Sequence, residues 1–144
     1  MILSLLLQVA TTAVPPPPPL QIREFCVPVR PELATFPVDE DYHVIGEQPH
    51  TGQLYSGTLK VKREGNHYQL VRVVAGKAVR GVGTPVACGP DGVHLLQVKY
   101  ANRPPFDCKM TVNYDNYSVA SCGPGSLNGR GTTGLEAWYP NGAP

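Results

Sequence analysis

The chain has 144 residues, the size of one ordinary domain, and twelve Lys and Arg against eleven Asp and Glu leave a formal net charge of +1. Its basic residues are scattered along the sequence, which excludes the dense cationic footprint that nucleic acid or an anionic membrane surface demands. Sixteen prolines and fifteen glycines punctuate it at short intervals, the composition of an all-β protein.

The apolar run Ile2 to Ala10 is too short to cross a bilayer core of ~30 Å. It reads as the hydrophobic part of a signal peptide spanning 1–13, with Thr11-Thr12-Ala13 at the cleavage position. No Lys or Arg precedes the run, and the competing reading is an ordinary buried strand. Cys26 follows Arg23-Glu24-Phe25, which does not suit a lipoprotein anchor. The expected location is therefore secreted or periplasmic, without a membrane span in the mature chain, and export permits disulfides. Residues 14–52 form a proline-rich linker and arm. Pro15 to Pro19 predict an extended polyproline spacer, and Pro28, Pro31, Pro37 and Pro49 predict an irregular arm with at most one short strand, pinned by Cys26. His43 and His50 lie near carboxylates but read as solvent-exposed loop residues, so no metal or other cofactor is expected.

The domain proper is expected over 53–139, with 140–144 as a tail. In Tyr55 to Lys62, Tyr55, Gly57, Leu59 and Val61 alternate with Ser56, Thr58, Lys60 and Lys62, the period of a strand with one buried face. Glu64-Gly65-Asn66 turns the chain into a second strand, His67 to Val74. Ala75-Gly76-Lys77 turns it into a third, Ala78 to Thr84, and the three make a β-meander. Gly81 and Gly83 share a face of that third strand, which calls for a bulky neighbour such as Tyr55 or Tyr68. After the turn Cys88 to Gly92, Val93 to Tyr100 is a strand with Leu96, Val98 and Tyr100 inward. Phe106, Cys108, Met110 and Val112 alternate with Asp107, Lys109, Thr111 and Asn113, and Tyr117 to Cys122 returns. Final strands fall within Leu127 to Tyr139. Seven or eight short antiparallel strands at this spacing predict a small barrel or sandwich.

Arg72 shares its strand face with Tyr68, Leu70 and Val74. Either it points into the barrel, where it pairs with Glu136 or another carboxylate or faces a wet cavity that binds an anion, or Val71 and Val73 point inward and Arg72 is solvated. The valines on the alternate face weigh toward the second reading.

Four cysteines lack any C-x-x-C pair, which disfavours zinc ligation. A turn at Tyr114-Asp115-Asn116 sets Asn113 opposite Tyr117 and therefore Cys108 opposite Cys122. Cys26 then pairs with Cys88 and ties the arm to the end of the third strand. Catalytic patterns are thin. Gly129-Arg130-Gly131-Thr132-Thr133-Gly134 spells G-x-G-x-x-G, but no helix of useful length can follow before Pro140. No G-x-S-x-G elbow occurs, paired cysteines supply no thiolate, and Glu136 has no second carboxylate at a readable spacing. Asn116-Tyr117-Ser118 is a formal glycosylation acceptor that reads first as a turn.

Tyr55-x-Gly57, Gly65-Asn66-x-Tyr68-x-Leu70, Gly81-Val82-Gly83, and Leu127-x-Gly129 with Gly134-x-Glu136 together resemble a family of small exported bacterial domains of unknown function. The resemblance covers Leu54 to Trp138 and implies an antiparallel β fold. Arg72 and Gly131 stand where that pattern expects tryptophan, and it implies no catalytic residues. The expected function is a secreted, non-enzymatic binding or accessory module for an unknown protein or small ligand. Two alternatives are a calycin-like carrier, its cavity lined by Tyr55, Tyr68, Arg72 and Tyr100, and a small secreted hydrolase built on Glu136 and a histidine. An empty interior would favour the carrier, a filled one the surface-binding module.

Overall fold

The computed structural model describes residues 25–33, 40–48, 50–112, 118–123 and 135–141. Its strands are β1 (Cys26–Pro28), β2 (Glu40–Glu47), β3 (Leu54–Glu64), β4 (His67–Val74), β5 (Lys77–Cys88), β6 (Val93–Tyr100), β7 (Phe106–Val112), β8 (Ser118–Gly123) and β9 (Glu136–Pro140), with one 3-10 turn at Pro31–Leu33. Every pairing is antiparallel. From β2 to β9 each strand pairs with the next in sequence, and β9 pairs back onto β2, so the sheet closes into an eight-stranded barrel. Closure removes the exposed edges of these strands. An eight-stranded barrel is just wide enough for side chains to fill it or to hold one small ligand, so the identity of its inward residues decides its use.

The two-residue period sets those identities. Leu59 and Val61 on β3, Tyr68 and Leu70 on β4, Leu96, Val98 and Tyr100 on β6, Phe106, Cys108 and Met110 on β7, and Trp138 on β9 are all buried in one interior cluster. Lys60 and Lys62 alternate with them and are exposed. The β3–β4 hairpin closes through Gly65-Asn66, with Gly65 at φ 60°. The β4–β5 hairpin closes through Ala75-Gly76, both at positive φ (49° and 73°), the geometry of a type I′ turn whose twist matches the flanking strands.

Three boundaries differ from the sequence expectation. First, the arm was expected to hold at most one short strand, yet it contributes both β1 and the eight-residue β2, a full barrel stave beginning thirteen residues before 53. Glu40, Asp41 and His43 obscure its pattern, but Tyr42, Val44 and Gly46 are inward and Asp41, His43 and Ile45 outward. The prolines lie outside the strand and delimit it. Second, Pro140 is not part of a tail; it pairs with Tyr42 and is buried. Third, β5 runs past Thr84 through Pro85 to Cys88. β4 stops pairing with β5 at Gly83, and β1 begins at Val86, so the donor that Pro85 lacks falls in the gap between them. The Pro85 carbonyl there accepts from Val29 N–H at 3.0 Å.

Both expected disulfides are present. Cys108–Cys122 joins directly opposed positions of β7 and β8, and Cys26–Cys88 joins opposed positions of β1 and β5. The longer loop, with a sequence separation of 62, stabilises by roughly 4 kcal/mol in the chain-entropy model. The 14-residue separation of the other pair gives about 3 kcal/mol. A second, smaller apolar cluster on the outer face of β5 and β6 holds Val86, Cys88 and Leu95 against Cys26. The signal peptide, the polyproline spacer, the turn expected at Tyr114-Asp115-Asn116, the first two residues of the glycosylation triplet and the 129–134 glycine motif lie outside the described residues.

Ala75 occupies left-handed backbone, where a Cβ is disfavoured and Asn is much better tolerated. Ala75→Asn is expected to stabilise the fold by about 0.5–1 kcal/mol, read as a rise in thermal midpoint; an unchanged or lowered midpoint contradicts the turn geometry.

Candidate functional site

Two glycines make room for the interior polar cluster. Gly46 on β2 lies opposite Tyr55 on β3, and a Cβ there would overlap the Tyr55 ring and hydroxyl. Gly81 on β5 lies opposite Tyr100 on β6, and its Cβ would come within 2.5 Å of Tyr100 Cδ1. Leu96 covers Gly83 in the same way. The nearest bulky neighbours of Gly81 and Gly83 are thus Tyr100 and Leu96, and Tyr68 lies opposite Gly83 on the adjoining strand. With both phenols drawn inward, their hydroxyls reach the Glu136 carboxylate.

Glu136 sits at the start of β9 with its side chain fully buried. Trp138 Nε1–H donates to Oε1 at 2.7 Å, and the Tyr100 hydroxyl donates to the same oxygen at 3.3 Å. Oε2 accepts from the Tyr55 hydroxyl at 2.5 Å, from Arg72 Nη1 at 2.7 Å and from Arg103 Nη1 at 3.3 Å. The Tyr55 oxygen in turn accepts from Arg103 at 2.8 Å and Arg72 at 3.2 Å. The Arg72 guanidinium lies 4.3 Å from the Tyr100 ring centroid and 5.4 Å from that of Tyr55, and Arg103 lies 4.6 Å from that of Phe106. These are cation–π distances. A carboxylate offers about four lone-pair sites, so five donors saturate it.

The electrostatics follow from this enclosure. Burial, and then the Glu136 charge, push the Tyr55 phenol up to about 12, and the same two causes hold Tyr100 well above the ordinary phenol range. Burial works to lower Arg72, but Glu136, Tyr100 and Tyr55 outweigh it and raise it. Both phenols are therefore neutral donors at physiological pH, and Arg72 is charged.

Such an arrangement is poorly suited to catalysis. A general base needs a free lone pair and access to substrate; the Glu136 side chain is fully buried and both its oxygens are engaged. It is well suited to tying the strands of the barrel together. The donors come from β3, β4, β6, β9 and the β6–β7 loop, so their bonds to one carboxylate cross the interior from several sides.

Of the residues singled out from sequence, Tyr55, Arg72 and Tyr100 come together around Glu136. Tyr68 is buried in the same barrel, opposite Gly83. Arg72 is 5 % exposed and ion-paired with Glu136, while Val71 and Val73 are half-buried on the outer face, so the solvated reading of Arg72 is overturned. A long side chain carrying five donors can be buried here because an anion waits for it. His43 and His50 are both exposed, and among the described residues no group of three or more His, Cys, Asp and Glu could hold a metal ion. Arg103 was missed. It lies in the loop before Pro104-Pro105, where no periodicity betrays a side chain that turns inward. Trp138 was not singled out either, although its position two residues from Glu136, on the same face, was the signal that could have found it.

No family model, curated protein or solved structure matches the chain. Among the described residues no helix is long and apolar enough to cross a membrane.

Arg72→Met tests the buried pair. Removing one partner leaves Glu136 short of a charged donor and is expected to cost about 3–5 kcal/mol. Denaturant midpoints measure it; a change below about 0.5 kcal/mol would be that of a surface residue and would contradict the pairing.

Proposed function

We propose that the chain is an exported, non-enzymatic binding module that meets its partner on the outside of the barrel. One observation carries this reading: five donors from several strands converge on the buried Glu136 carboxylate, which leaves it no free lone pair to offer a ligand in the interior. Three of the four residues proposed to line a ligand pocket, Tyr55, Arg72 and Tyr100, are engaged with one another and with Glu136 instead. A hydrolase reading loses support for the same reason, because its carboxylate is enclosed and the exposed His43 lies on the outer face. Two disulfides favour an oxidising compartment, which agrees with export. Accessory clefts of about 370 Å³ and 500 Å³ flank Leu135 on the surface, their walls including Ile45, Leu54, Val93 and Leu95. The module therefore has surface relief to offer a partner without opening its core.

The sole tryptophan, Trp138, is fully buried inside the barrel and reports on it. Titration with a polyene fatty acid, whose absorption overlaps indole emission, is expected to leave Trp138 fluorescence unchanged. Stoichiometric, saturable quenching would show a ligand in the lumen and replace this reading with the carrier.

A further inference from the structure

The near-zero net charge conceals a strong asymmetry. Between Leu54 and Cys88, the span of β3, β4 and β5, lie Lys60, Lys62, Arg63, Arg72, Lys77 and Arg80, half of the chain's twelve basic residues, against one acid, Glu64. Two of the six are neutralised within the described residues: Arg72 pairs with Glu136 inside the barrel, and Arg63 pairs with Glu32 beside the 3-10 turn. Lys60, Lys62 and Arg80 are different. All three are exposed on the outer face, and none makes an ion pair among the described residues. Asp41 faces Lys60 across the β2–β3 pair but does not bond to it.

These three cations surround one depression. The register runs Lys60, Val71, Arg80 across β3, β4 and β5, and the next row places Lys62 opposite Gln69. Together they line a cleft of about 490 Å³ whose floor is the half-buried Val71 and Gln69, with Glu64 at its end. Lys60 and Lys62 are two residues apart on one strand, so their stems lie about 7 Å apart. Arg80 stands two strands away, about 10 Å across the sheet.

We infer that this face of β3–β5 is a docking surface for an extended acidic peptide segment of another protein. Charge complementarity carries the inference, and spacing chooses the chemistry. An extended peptide places alternate side chains on one side at the same ~7 Å repeat, so acidic residues at i and i+2 match Lys60 and Lys62. A further acid across the cleft reaches Arg80, and Gln69 offers an amide between them. Nucleic acid and polysaccharide fit less well. The cleft has no aromatic side chain for a base or sugar to stack on, and Glu64 closes one end to a continuous anionic backbone. The inference deepens the reading of the chain as a binding module and rests on it, yet its test does not involve the lumen.

The probe is a fluorescently labelled peptide of alternating Glu and Thr, compared by anisotropy with a peptide of the same composition whose glutamates form one block. The alternating peptide is expected to bind the full chain saturably, more tightly than the block peptide and with affinity falling as salt rises. Lys60→Gln with Lys62→Gln should weaken binding by on the order of tenfold, Arg80→Gln should weaken it less, and Lys109→Gln, on β7, should leave it unchanged. The exposed sites leave the thermal midpoint as a check that each variant remains folded. Charge reversal, Lys60→Glu with Lys62→Glu, should abolish binding of this peptide and admit one of alternating Lys and Thr. Equal binding by the wild type and the Lys60/Lys62 variants, or no binding of the alternating peptide at low salt, overturns the inference. Binding of heparin through these lysines with none of the peptide also overturns it, and assigns the face to a sulfated polysaccharide. A quenched Trp138 in the fatty acid titration would instead remove the surface-module reading and leave the peptide result standing.

Discussion

A carboxylate held away from water must be met by donors from every side, and the interior of this barrel is arranged around that requirement. Leaving an ionised group buried without partners costs many kcal/mol. Glu136 is buried at the level where β9 faces β3, β4 and β6, and each of those strands sends it a donor. Trp138 reaches it from the same strand, and Arg103 from the β6–β7 loop. Polar satisfaction of this kind imposes a geometry that apolar packing does not, because each hydrogen bond fixes a distance and an angle. The glycines at 46 and 81 are part of the same constraint, since a side chain at either would displace a tyrosine on which the cluster depends.

Apolar packing continues outward from this polar cluster through its own aromatic members. Tyr42 and Trp138 lie 6.2 Å apart in a tilted pair, and Tyr100 meets Phe106 at 5.8 Å. Such pairs add about 0.5–1.5 kcal/mol each beyond area burial. The Cys108–Cys122 bridge lies on the inward face between β7 and β8, whereas Cys26–Cys88 holds the short β1 at the point where β4 leaves β5. One bridge reinforces the closed barrel; the other fastens the segment before it. The uneven placement of charge gives the β3–β5 face a character that the whole-chain total hides.

Much of this architecture was readable from residue order. The meander from Tyr55, the strand Val93 to Tyr100 and the alternation from Phe106 are period-two patterns between unmistakable turns. The cysteine pairing followed from the hairpin register. β2 was harder because two charges sit at its start, which makes Glu40-Asp41 look like part of an acidic loop. Arg72 was harder still. Its face could not be chosen locally, because Val71 and Val73 form an equally apolar alternative and the partner that decides the matter is 64 residues away. Periodicity reports which residues share a face; it does not report which distant strand that face will meet. Arg103 left no local trace at all, since a loop side chain owes its direction to the chain on either side of it.

The central claim is that the barrel interior is closed and dry around Glu136. Hydrogen–deuterium exchange of the Trp138 indole N–H, followed by NMR, addresses it directly, because that proton lies in the 2.7 Å bond to Oε1. A closed interior predicts exchange only through global opening, slowed by on the order of a thousandfold or more relative to a free indole. Exchange at the free-indole rate in the folded protein would mean that water reaches the lumen, and the account would fail.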